Sequence, residues 1–294
     1  MYRRTFLKSS SLACLSGFGR PESFGKGEDG KIRPAISLNA YSFNRQLLNN
    51  EMSLKELFDF AARTGFMGVD LTAYYIPGYP EVPADETLFE IKRMAFLKGL
   101  ALTGTGVRND FTLADTAKRG KEIDLVKHWI MAAVKLGMPY VRVFAGRETP
   151  EGHSREEIKG WVIEAFRECA DFASAYGVMV VFQNHNDFIV STDDIMEIME
   201  HVDPAWFGLM LDIGSLPVPD PYQAIQRLIP YAVTWQVKEN VQTDEGSVPT
   251  DFGKLMKIVH DQQYQGFFPL ETLGEGDSYR KVRDLYHQVM ESMI

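Results

Sequence analysis

Six polar side chains stand where apolar runs stop. Gln183 and His185 follow "VVF", Asp212 follows "LML", Gln236 and Lys238 sit in "TWQVK", and Glu271 follows "FPL". Each closes or nearly closes a short apolar segment of the kind that forms a buried parallel strand. Strands alternate their side chains, so Gln183 shares a face with His185, and Gln236 with Lys238. Two carboxylates, Asp212 and Glu271, gathered into one small volume repel unless something cationic lies between them. A divalent ion would do this, because hard cations take carboxylate and amide oxygens. Gln183 is the odd member: an amide takes no proton at any working pH. The plain alternative is that such residues only satisfy loop backbone. Four of them aligned point instead to a functional mouth.

The elements that must position these residues repeat. From residue 31 onward, short apolar runs alternate with amphipathic helices. The first helix opens at Ser53 with Glu56 three residues on, a capping box, and stops at Gly65. Its stripe is Leu54, Leu57, Phe58, Ala61 and Ala62. The last helix carries Val282, Leu285, Tyr286, Val289 and Met290 on one face. Between them run "FMGVDLT", "ALTGTGV", "YVRVFAG", "VMVVFQN", "FGLMLDIG", "VTWQVKEN" and "FFPLETL", with "AISLNAY" ahead of them all. Eight strands and eight helices without a composition break predict an α/β fold, a (β/α)8 barrel over residues 31–294. A doubly wound sheet would carry a Gly-rich phosphate turn after its first strand, and "SLNAYSFN" has none. In the barrel, active sites lie at the C-terminal strand ends, where the six residues fall.

In these motifs the chain resembles the xylose-isomerase-like barrels known as sugar phosphate isomerases and epimerases, over nearly the whole of residues 31–294. That family ends its fifth strand Glu-Asn-His, its sixth Leu-Asp-x-Gly, its seventh His-x-Lys-Asp and its eighth in Glu. The Glu, Asp, His and Glu hold one divalent metal, and the two Glu act as paired acid and base beside a sugar carbonyl. The resemblance therefore implies Asp212 and Glu271 as ligands, with Asn184, His185 and Lys238 as neighbours, Asn184 among them expected to touch substrate. Gln183 stands where the family has Glu, Gln236 where it has His, and Ser215 where it has His or Asn. Two-base epimerisation is then in question. Glu271 remains a base, and the other proton-transfer roles fall to His185, Lys238 or water. A ligand set of Gln183, Asp212, Gln236 and Glu271 favours magnesium, manganese or calcium over zinc.

For substrate contact, Arg108 in "GVRNDF" and Arg142 in "VRVFAG" end the third and fourth strands and suit an anionic or polyhydroxy ligand. Arg142 has a second reading, an outward guanidinium against a helix. Tyr74 and Tyr75, Phe43 and Trp235 offer apolar walls for a sugar ring, or ordinary packing. His153 reads as an exposed loop residue, and Glu239 and Asn240 as loop caps.

A net charge of −9 without a basic stripe argues against nucleic acid. The two cysteines, Cys14 and Cys169, make no disulfide framework, and Cys169 reads as core filler. At the N-terminus, Arg3 and Arg4 with Phe6, Leu7 and Lys8 resemble a twin-arginine export signal, so residues 1–30 are expected to be signal and linker and the protein periplasmic or exported. The apolar stretch there is too short to span a bilayer, and lipidation at Cys14 fits poorly. The expected partner is a small carbohydrate. The reaction classes in view are metal-assisted proton abstraction beside a sugar carbonyl, elimination from a keto-sugar, and sugar binding without turnover.

Overall fold

The computed structural model describes residues 34–147, 149–185 and 187–293. The expected export segment therefore lies outside the described residues, as does Cys14. Eight parallel strands close into a barrel: β1 (Ala35–Asn39), β2 (Gly68–Asp70), β3 (Ala101–Gly106), β4 (Tyr140–Val143), β5 (Met179–Gln183), β6 (Phe207–Asp212), β7 (Ala232–Lys238) and β10 (Phe267–Glu271). Each pairs with its neighbour in chain order, and β10 closes against β1. The expected barrel is the observed one. Two further strands, β8 (Asn240–Thr243) and β9 (Gly246–Pro249), form an antiparallel hairpin after β7. Asn240, expected to cap a loop, instead opens that hairpin, whose short strands carry little apolar periodicity for a sequence reading to catch.

The helices wrap the barrel because each buries an apolar stripe of its inner face against the barrel. In α2 (Leu54–Thr64) the capping box forms as expected: Ser53 Oγ accepts from the Glu56 amide, and the Glu56 carboxylate accepts from the Ser53 amide at 2.8 Å. Gly65 ends the helix at φ +103°, a left-handed value that suits a residue without Cβ. Leu57, Phe58 and Ala61 are fully buried. Val282, Leu285 and Val289 of α9 (Ser278–Ser292) are buried too, but Met290 is 40% exposed and lies off the stripe. Phe43 packs edge-on against Phe60 and Tyr279, and Trp235 against Phe268 and Tyr264, so both belong to the packing under the helices. Tyr75 is buried and donates to Asn44. Cys169 is a buried free thiol whose pKa burial pushes up to about 12, an inert filler.

Inside the barrel a separate small cluster of Tyr140, Val181 and Met210 makes a floor. These residues lie two positions before Arg142, Gln183 and Asp212, so the strand period stacks them one layer beneath the strand ends. Tyr140 Oη donates to Asp70 at 2.7 Å and lies 3.4 Å from Thr234 Oγ1. Burial raises the Asp70 pKa, with the tyrosine bond opposing it.

Candidate active site

Strand register assembles the mouth. Asp212 is paired with Gln236 across β6 and β7, and Lys238 with Glu271 across β7 and β10. The strand ends are then pinned by short polar contacts. Thr250 donates to the Lys238 carbonyl at 2.8 Å, and Ser42 Oγ accepts from the Thr272 amide at 3.0 Å on the far side of Glu271. Asn184 bonds the Asp212 backbone twice, through its amino group to the carbonyl at 2.8 Å and through its oxygen to the amide at 3.0 Å. Its side chain latches β5 to β6 and is not part of the cavity wall. It was expected to touch substrate, and the structure places it one layer behind.

Asp212 is the hub. Its Oδ2 accepts from Gln183 Nε2, Ser215 Oγ and Lys238 Nζ, each at 2.8 Å, and its Oδ1 accepts from the Gly214 amide at 3.0 Å. Gln183 Nε2 also donates to Gln236 Oε1 at 2.5 Å. Lys238 Nζ reaches Glu271 Oε1 at 3.5 Å. Burial alone lowers the lysine pKa, but the two carboxylates more than reverse this and hold it above its ordinary value. Burial raises the Glu271 pKa, with Lys238 opposing.

Above this cluster opens a cavity of about 300 Å³, whose wall includes Gln183, His185, Gln236, Lys238 and Glu271. Arg142 points inward and is buried, resolving its two sequence readings in favour of the mouth. Its Nη1 donates to the Val107 carbonyl at 2.6 Å and its Nη2 to Tyr74 Oη at 2.8 Å. Room for it comes from Gly106, paired with Arg142 in the sheet: a Cβ there would come within 2.7 Å of the guanidinium. Gly104 does the same for the Tyr140 ring, which a Cβ would meet at 2.1 Å. Phe144 is covered by Arg142 at 4.0 Å and by the His185 ring at 4.7 Å. His185 stands at the exposed rim of the wall, where partial desolvation, together with Lys238 and Arg142, lowers its pKa against the pull of Asp212. Arg108 is exposed, with its guanidinium 4.8 Å above the Tyr74 ring. Outside the site, His153 bonds Glu157 on the surface as expected.

Sequence reading missed Arg147, Phe144 and Asp187, all on the cavity wall. Asp187 closes the run "VVFQNHND", and burial pushes its pKa up to about 7. A charged residue four places beyond a strand end was the available signal.

The implied metal needs oxygens turned toward one point. Gln183 instead turns its amino group toward Asp212 and Gln236, and a lysine lies between the two carboxylates. Among the described residues, no three His, Cys, Asp or Glu side chains are gathered as a metal site. The residues as arranged do not fit a divalent ion.

Known proteins share this architecture. A 2-oxo-tetronate isomerase of Haemophilus influenzae is 27% identical over 172 residues, 55% of this chain and 64% of that protein, so the match spans less than two thirds of the relative. Among solved structures, D-psicose 3-epimerase superposes with a TM-score of 0.74 at 14% identity, covering 88% of this chain and 99% of the other. The 3-keto-D-glucoside 4-epimerase YcjR of E. coli gives 0.71 at 15%, covering 88% and 100%. A probable 3-DHS dehydratase of Bacillus anthracis, AsbF, gives 0.67 at 19%, covering 87% and 97%. At these identities the structures testify to the fold. The family model for the xylose isomerase-like TIM barrel matches residues 58–292, and the chain belongs to that family.

Proposed function

We propose that the protein is an exported enzyme of the isomerase or epimerase type that abstracts a proton beside the carbonyl of an acidic sugar. The observation that carries this is the buried Glu271 carboxylate facing the cavity with the Lys238 ammonium 3.5 Å away. Glu271 takes the proton from the carbon next to the carbonyl. Lys238 and Arg142 hold positive charge where the enolate oxygen develops. Glu271 then delivers the proton to the neighbouring carbon, while the hydroxyl proton passes between the two oxygens of the enediol, which completes an isomerisation.

An acidic substrate is supported by charge. Arg108, Arg142, Arg147 and Lys238 line the cavity against Glu271 and Asp187, in a chain of net charge −9. None of the three arginines has a carboxylate partner among the described residues. The 2-oxo-tetronate isomerase is a relative whose name is that of an enzyme of a keto-sugar acid.

The test is deuterium exchange in D2O, followed by NMR over a panel of keto-sugar acids and neutral ketoses. Exchange at the carbon beside the carbonyl is expected with the acids, and Glu271→Gln should abolish it. Saturable binding without any exchange would favour a binding protein instead. A second reading, elimination, is favoured by Gln183, which removes the opposing base and leaves Glu271 as the one carboxylate beside Lys238 on the cavity wall. An ultraviolet-absorbing unsaturated product would identify it.

A further inference from the structure

Asp212 and Glu271 need a positive partner, and the chain supplies one. Lys238 Nζ lies 2.8 Å from Asp212 and 3.5 Å from Glu271, with its side chain 8% exposed. Gly214 keeps the lysine's path clear, since a Cβ there would stand 2.6 Å from Lys238 Cδ. Oδ2 of Asp212 is saturated: three donors crowd it, more than the two lone-pair directions one carboxylate oxygen offers, while Oδ1 holds the Gly214 amide. The orientation of Gln183 follows from its partners: a flipped amide would set its oxygen against those of Asp212 and Gln236. An ion entering this cluster must displace the ammonium or the amide.

We propose that the site is metal-independent, and that the Lys238 ammonium supplies the positive charge that the family resemblance assigns to a divalent ion. Gln183 is then explained. One ammonium already faces two carboxylates, and a glutamate at 183 would add a third with no hydrogen to give Asp212. A neutral amide satisfies Asp212 without adding charge. The Gln183 Oε1 is buried and has no hydrogen-bond partner, which is the cost of turning its amino group to Asp212 and Gln236. This inference concerns the resident charge of the site and stands whichever sugar is turned over.

The experiment is thermal unfolding of the full chain with EDTA and with millimolar Mg2+, Mn2+ or Ca2+, in the absence of substrate. The wild-type midpoint is expected to stay fixed in all of these. Lys238→Met leaves two carboxylates uncompensated, and Gln183→Glu adds a third; either should gain a dose-dependent rise with a divalent ion. A wild-type midpoint that falls in EDTA and recovers with one ion overturns the proposal. So does saturable wild-type binding of one equivalent, lost in Asp212→Asn. Folded Lys238→Met and Gln183→Glu proteins that both ignore every ion overturn the claim that lysine stands in for a metal. If either variant does not fold, the other and the wild type decide. Because no substrate is present, failure here is separable from failure of the proposed reaction.

Discussion

Asp212 and Lys238 form a salt bridge of 2.8 Å in which the carboxylate is fully buried and the lysine side chain 8% exposed. Neither charge can retreat to water, so the pair is held by what surrounds it. Breaking such a pair from one side leaves a buried charge unpaired and costs about 3–5 kcal/mol. Asp212→Asn should lose stability on that scale in urea denaturation. The double variant Asp212→Asn/Lys238→Met should lose clearly less than the sum of the two single variants. Additive losses would show that the two side chains are not coupled.

The two glycines of β3 separate stability from binding. Gly104→Ala pushes a methyl into the Tyr140 ring, which is also tied to Asp70 and has nowhere to move. Overpacking of this kind costs about 1–3 kcal/mol or more. Gly106→Ala meets the flexible end of Arg142, so its unfolding midpoint should drop less while substrate affinity falls more. Equal effects of both variants on both readouts would refute this division.

Asp187 sets a pH dependence. Its folded pKa is raised from 3.8 to about 7 by burial. The folded state therefore binds the proton more tightly than the unfolded chain does. That contribution to stability is fully present below about pH 4 and is lost as pH rises toward 7. Asp187→Asn should flatten the stability profile between those values, by roughly 1–3 kcal/mol. A profile identical to wild type would place the titration elsewhere.

Arg108 is exposed and reaches over Tyr74 at the cavity wall. Loss of a charge-assisted contact to a carboxylate costs about 1.5–3 kcal/mol, so Arg108→Ala should raise KM for an acidic substrate roughly 10- to 100-fold. Its unfolding midpoint should stay within experimental error of wild type. Added salt should weaken wild-type binding more than that of the variant.

The barrel was legible because β and α periods alternate cleanly, and because the mouth residues close strands whose apolar runs are unmistakable. Gln183, Asp212, Gln236, Lys238 and Glu271 come together since parallel register and strand ends leave them no other place. What one-dimensional spacing could not show was orientation. Lys238 shares a strand face with Gln236, yet only the folded geometry reveals that its ammonium lies between the two acids. Asn184 sits beside Gln183 in sequence and turns to backbone, as alternate strand residues do. Arg147 and Asp187 lie on loops, where no period predicts direction.

The floor of Tyr140, Val181 and Met210 has a consequence for traffic. Among the described residues it stoppers the barrel beneath the strand ends, so the cavity is reached from the loop side. Whatever enters must leave by the same doorway, so product and incoming substrate compete for one passage. A ligand at Glu271 is therefore met on its way in by the loop-side Arg108 and Arg147, which line the same cavity.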